Sequence, residues 1–158
     1  TGLVFALTHN YTAHPLIRHA RELFRSGRMG TVRKVVAEYL QDWLARPVER
    51  DVSKQAGWRT DPAQSGVGGA LGDIGSHAFN LAEYVTGERV VELSCDKTTF
   101  VQGRRLDDDA NILLRFAGGA VGSLGFSAAG HGDPIALPGG RAVYGSRGCL
   151  QQGEATPG

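Results

Sequence analysis

The stretch GGALGDIGSHAFNLAEYVTG, residues 68–87, sets an aspartate and a histidine four residues apart, Asp73 and His77. On a helix, an i, i+4 step brings two side chains to one face within mutual reach. A carboxylate there can orient an imidazole and raise its basicity, so that the ring takes or gives a proton near neutral pH. The same residues also suit two plainer roles, Asp73 as a helix N-cap and His77 as a satisfied core histidine. Ahead of them, Gly66, Gly68 and Gly72 in GVGGALG come close to a dinucleotide-binding loop. That fingerprint needs an apolar strand just before it, and WRTDPAQS is none. The glycines read instead as letting the backbone pass close to a ligand or to the helix of Asp73, which leaves a helix N-terminus able to attract an anionic group.

Other polar residues could serve the same site. Trp58 and Arg59 offer a stacking face and a fork of donors for a sugar hydroxyl, a carboxylate or a phosphate; equally, they suit a loop anchored by a buried indole beside a solvated arginine. Asn10 and Tyr11 can hydrogen-bond a polyol, and Asn10 equally suits capping the helix after it. Asp73 and His77 with His9 or His14 would make a metal-dependent hydrolase or lyase, but no second well-spaced ligand pair exists and no metal site is assigned. Asp107, Asp108 and Asp109 follow Arg104 and Arg105 and read as a charged turn between strands, lacking the later ligand positions of a calcium loop. Arg18, Arg21, Arg25 and Arg28 form one helical stripe, read as a solvated face because no aromatic residues interleave it.

Several elements must position these groups. GLVFALTHNY opens with an apolar run that suits a buried strand and turns polar at Thr8. HPLIRHARELFRSG puts Leu16, Ile17, Ala20, Leu23 and Phe24 on one helical face, with Pro15 in the first turn and Gly27 as a stop. TVRKVVAEYLQDW reads as a strand ending at Asp42 and Trp43. Residues 44–72 lose periodicity and form a long excursion with one short turn of helix, a length often functional in compact domains. Helix returns from Asp73 to Val85 with Ile74, His77, Ala78, Leu81, Tyr84 and Val85 inward, and Gly87 ends it. VVELSCDKTTFV, with Val91, Leu93 and Cys95 alternating against polar residues, ANILLRFA and AVGSLGFSAA follow as strands in antiparallel, meander order. This predicts an α+β (α/β) fold: a mixed, largely antiparallel, open-faced sheet with helices packed on one face. Its free face, carrying Ser94, Thr98, Ser123 and Ser127, is too polar for a core and too uncharged for full solvation, so it suggests a subunit interface. Residues 131–158 read as an irregular Gly/Pro-rich tail.

At 158 residues the chain is one domain's worth. It starts at Thr1 and stops in GCLQQGEATPG, so it reads as an excerpt of a longer product. With 17 basic and 16 acidic residues, it has no field to concentrate nucleic acid, and its partner is expected to be small. No apolar run reaches the roughly 20 residues of a membrane span and no leader is visible, so a soluble, cytoplasmic protein is expected. Cys95 and Cys149 lack Cys-x-x-Cys spacing, against a disulfide framework or zinc ribbon.

Taken together, THNYTAHPLIRHARELFRSGRMGTVRKVVAEYLQDW, GWRTDPAQSGVGGALGDIGSHAFNLAEYVTG and LLRFAGGAVGSLGFS resemble, in order, the C-terminal half of Gfo/Idh/MocA oxidoreductases, the glucose-fructose oxidoreductase and inositol dehydrogenase family. The Asp-x-x-x-His helix entry after a Gly-Gly loop is the most specific part. The resemblance implies that residues 1–11 end an N-terminal Rossmann domain that holds NAD or NADP, and that residues 12–130 form a substrate-binding and dimerisation domain. It also implies that His77 accepts or relays the proton of the hydroxyl being oxidised while Asp73 contacts the sugar. The Trp58–Arg59 pair matches one found in some branches near cofactor and substrate. A Glu-Lys-Pro lysine that completes such sites is absent here, and the Gly/Pro-rich tail after residue 130 departs from the family's further sheet. The implied activity is NAD(P)-dependent hydride transfer to or from a sugar, inositol or related polyol, with this chain inactive alone and paired through its open sheet face. The alternatives are the metal-dependent hydrolase or lyase and a non-catalytic, sheet-mediated dimerisation module.

Overall fold

The computed structural model describes residues 2–51 and 53–129, together with the backbone of residues 140–145 and 148–153. Helix α1 (Pro15–Arg25) begins with Pro15, whose missing N–H costs nothing in the first turn, and ends where Gly27 turns to φ 74°. Ile17 and Phe24 are its buried residues. Leu16, expected inside, is exposed, because it falls one position, about 100°, off the 17–20–24 stripe.

Strand β1 (Val32–Leu40) follows, and then three short helical pieces rather than one: a 3-10 turn at Val48–Arg50, α2 (Lys54–Arg59) and α3 (Pro62–Ser65). Local caps explain α2 and α3: Ser53 Oγ accepts from Ala56 N and an Asp61 carboxylate oxygen from Ala63 N. A π turn at Leu71–Gly75 runs directly into α4 (Ser76–Thr86), which Gly87 ends in the left-handed conformation.

Strands β2 (Val90–Thr98), β3 (Asp109–Phe116), β4 (Val121–Ser127), β5 (Gly140–Gly145) and β6 (Gly148–Gly153) complete a sheet of order β2-β3-β4-β1-β5-β6. Only β1 and β4 pair in parallel, Lys34 beside Val121 through Leu40 beside Ser127; the other neighbours are antiparallel. The helices cover one face. Ile17 and Phe24 of α1 and Ala78, Leu81 and Val85 of α4 join Val35, Ala37, Ile112, Leu114, Leu124 and Phe126 of the sheet in one buried cluster, each large side chain contributing about 1.5–3 kcal/mol by leaving water. The other face carries Lys34, Glu38, Asn111, Leu113 and Arg115, all exposed, and is the open face expected.

Four expectations change. Residues 2–9 form no strand, and Leu3, Val4 and Phe5 are exposed, Val4 by 96%; a β run holds its shape only against a neighbouring ladder, and none of the six strands includes it. β2 is exposed on both faces, Val91 and Leu93 included, because it is the sheet's edge and lies beyond the cover of the helices. Ser127 is fully buried, its hydroxyl donating to the Asp108 carbonyl. The tail is not irregular throughout: β5 pairs with β1 and β6 with β5, since β1 would otherwise leave one edge bare, while 130–139 and 154–158 lie outside the described residues.

Candidate functional site at the entry of helix α4

The glycine loop and the first turn it feeds are fixed by Asp107. Its carboxylate accepts from Gly69 N at 2.9 Å and Leu71 N at 2.7 Å, and its carbonyl accepts from Ala70 N at 2.9 Å. The anion that this helix entry attracts is therefore the chain's own. Gly69 is required by that contact, because a Cβ there would sit 2.1 Å from the Asp107 carbonyl oxygen. The loop's purpose, open between a ligand and the helix, resolves to the seat of the helix on Asp107. Asp73 lies inside the π turn rather than at an N-cap, so the capping role is set aside; π turns of this kind recur at functional sites.

The Arg104–Asp109 run is not a solvated charged turn. Asp107 and Asp108 are buried, Asp108 at 1% exposure. Arg104, equally enclosed, donates to Glu49 at 2.8 and 3.0 Å, to Asp108 at 3.0 Å and to the carbonyls of Leu44 and Arg46 at 2.8 and 3.3 Å. Asp108 also accepts from Phe100 N and Val101 N. Burial pushes the Glu49 carboxyl up, but the hydrogen bond from Arg104, a backbone bond and the charges of Arg104 and Arg50 outweigh it and hold the group below the usual glutamate range. This network ties residues 44–50 to residues 99–108. Nothing local marks it in the sequence, because residues 101–108 are irregular and the partners that enclose Arg104, Leu44, Arg46 and Glu49, lie 55 to 60 residues earlier.

Two groupings sit along the π turn and α4. In the first, Arg59 Nε donates to Asp73 Oδ2 at 3.1 Å, Arg59 Nη1 to Gln55 Oε1, and the guanidinium lies 4.2 Å from the Trp58 ring centroid and 5.8 Å from that of Trp43. Trp58, Arg59, Gly68, Gly72, Asp73 and Asp107 help line a cavity of about 230 Å³, below the usual range for drug-sized ligands and suited to a single small ring. Trp58 is exposed rather than a buried anchor, and Arg59 is paired rather than solvated.

In the second grouping, one turn further along, the half-buried His77 ring is met edge-on by Tyr11 at 5.0 Å and by His9 at 5.5 Å, with interplanar angles of 81° and 89°. Tyr11 shares a hydroxyl–hydroxyl bond of 3.0 Å with Tyr39 of β1. Asn10 is exposed and opens a 3-10 turn, Asn10–Ala13, whose N-cap is His9; α1 is preceded by His14, so Asn10 caps neither. Trp43 and Tyr39 were missed in the sequence because a strand-end aromatic reads as core. Among the described residues, no three His, Cys, Asp or Glu side chains gather closely enough to hold a metal ion, and no helix is long and apolar enough to cross a membrane.

Comparison with known proteins places this arrangement. The model for the GFO/IDH/MocA C-terminal domain matches residues 17–151, thus reaching through β5. The uncharacterized oxidoreductase YfiI of Bacillus subtilis is 28% identical over 125 residues, 78% of this chain and 32% of its own length. The structure of an inositol dehydrogenase homolog from Azotobacter vinelandii complexed with NAD+ superposes with a TM-score of 0.83 at 33% identity over 91% of this chain and 37% of that one. The structure of a levoglucosan dehydrogenase with NADH and levoglucosan gives 0.79 at 28% identity over 95% and 40%. The chain thus spans only about a third to two fifths of these relatives' lengths. It belongs to the GFO/IDH/MocA family, as its C-terminal domain.

Proposed function

We propose that the chain is the substrate-binding and catalytic half of an NAD(P)-dependent oxidoreductase that moves hydride to or from a sugar, inositol or related polyol. The observation that carries this reading is the spacing along one helix. A ring-sized cavity walled by the Arg59–Asp73 pair and the Trp58 face lies one turn from an imidazole held edge-on by Tyr11 and His9. His77 takes the proton of the hydroxyl being oxidised, Asp73 and Arg59 hold a neighbouring hydroxyl, the exposed indole covers an apolar ring face, and Asn10 and Tyr11 border the polyol.

The described residues do not suit the dinucleotide's phosphates. The glycine loop follows α3 rather than a strand, and its N–H groups serve Asp107. We assign the phosphates to the additional length that the relatives have, with residues 1–11 as the approach to that domain. When bound, the nicotinamide supplies the hydride acceptor or donor; the relatives' NAD+ and NADH complexes favour NAD.

The test is turnover of myo-inositol, levoglucosan and a polyol panel with NAD and with NADP in the full-length gene product, followed by reduced-nicotinamide absorbance. His77→Ala is expected to lower kcat by about 10²–10⁴-fold with the circular dichroism unchanged. Undiminished turnover would sink the assignment.

A further inference from the structure

We infer that Tyr39, a strand residue outside the site's lining, is a positioning residue for His77, acting through Tyr11; the inference rests on His77 moving the substrate proton. Three geometric facts carry it. First, the His77 ring has an edge-to-face neighbour in both Tyr11 and His9, and both come from one short segment just before α1. Such contacts favour one ring plane over others, because the positive edge of one ring meets the negative face of the next.

Second, this segment is locally stiff. Thr12 N and Thr12 Oγ1 both donate to the His9 carbonyl, at 3.2 and 2.7 Å, and His14 N donates to the Tyr11 carbonyl at 3.2 Å. The His14 ring stacks on Tyr11 at 6.3 Å. The clamp therefore moves as one piece.

Third, the Tyr11–Tyr39 bond fastens that piece to the sheet. It is 3.0 Å long, part-buried, and supported by an edge-to-face ring contact of 6.0 Å. β1 is hydrogen-bonded to β5 as far as Ala37 and to β4 along its whole end, where Tyr39 faces Phe126 and Leu40 faces Ser127, so Tyr39 is held in the sheet by β4. A proton acceptor must meet its hydroxyl at hydrogen-bond distance and in the right plane, and small misplacement is costly to rate. Tyr39 sets that plane from the sheet, without touching substrate itself.

Tyr39→Phe in the full-length enzyme keeps the ring and deletes the hydroxyl. The expected result is a kcat about tenfold lower, a polyol KM within about twofold of the parent, and an unchanged melting temperature. Tyr11→Phe should lower kcat at least as far, and the double variant should be no slower than Tyr11→Phe alone, because both delete the same bond. In protein labelled with ¹⁵N-histidine, the His77 ring signals, identified by their loss in His77→Ala, should shift in Tyr39→Phe without any ligand present. Parent-like kcat and unshifted His77 signals in Tyr39→Phe, beside an inactive His77→Ala, would overturn the positioning role alone. Losses that multiply in the double variant would overturn it too. Full turnover in His77→Ala would instead remove the reading on which it stands.

Discussion

Arg59 is gripped from several sides: Asp73 takes Nε, Gln55 takes Nη1, and indole faces lie toward it from Trp58 and Trp43. A lysine has neither the planar fork nor the stacking surface. Arg59→Lys is therefore expected to raise the polyol KM about three- to tenfold while changing unfolding free energy by less than about 1 kcal/mol, because the pair with Asp73 is partly solvated. Steady-state kinetics beside thermal melts separates the two effects. At this scale the sequence was readable where residues lie close along the chain. Asp73 and His77 sit one turn apart on one helix, and Trp58 with Arg59 closes one α2 turn. Trp43 and Tyr39 were not readable as site residues, since only the fold brings β1 and its exit beside a segment that lies 28 residues earlier at Tyr11. Arg104 was misjudged because charge alone says nothing of burial, and the apolar neighbours that decide it come from separate elements.

Among the elements, the long excursion after β1 behaves as a built structure because two buried carboxylates fasten it. Arg104→Ala would leave the buried Asp108 and the half-buried Glu49 without their cation, and a loss of about 3 kcal/mol in denaturant unfolding is expected. The Glu49 carboxyl, held low in the folded chain, gives the pH dependence its direction. Across the acid window the unfolded chain binds the more protons, so this contribution is complete above the ordinary glutamate value of 4.5 and fades as pH falls through and below it. Glu49→Gln should lower stability at neutral pH and flatten melting temperature against pH in that window; an unchanged slope would refute the linkage. The glycine loop gives two opposite signs within four residues. Gly69→Ala meets a carbonyl and should cost at least about 1–3 kcal/mol. Gly72→Ala meets nothing within 4 Å and should be neutral or stabilising by up to about 1 kcal/mol. Thermal melts of the two variants decide it. The helical periods, the β2–β4 meander and the Ser53 and Asp61 caps are local patterns, whereas the ion pair that fastens Glu49 depends on Arg104, 55 residues away.

For the whole molecule, the feature that stands out is the sheet face left uncovered by the helices. Leu113 is 66% and Val121 41% exposed there, between Arg115, Lys34 and Ser123, and we propose this face as the place where two copies would pair. Leu113→Asp is expected to shift the full-length protein toward monomer in light scattering, with its secondary structure retained; an unchanged mass would place the contact elsewhere. The sheet's strand order was only partly legible. Period-two runs mark strands, yet they do not say which will be neighbours, and nothing local shows that β1 takes β4 on one side and β5 on the other. That order has a consequence for biosynthesis. β1 leaves the ribosome before either neighbour, because β4 begins only at Val121 and β5 at Gly140. Between its own synthesis and that of β4 its VRKVVAEYL run therefore presents two bare edges. The nascent chain is open to mispairing over that interval, and a holdase chaperone that binds extended apolar segments would act there until β4 and then β5 have paired with β1.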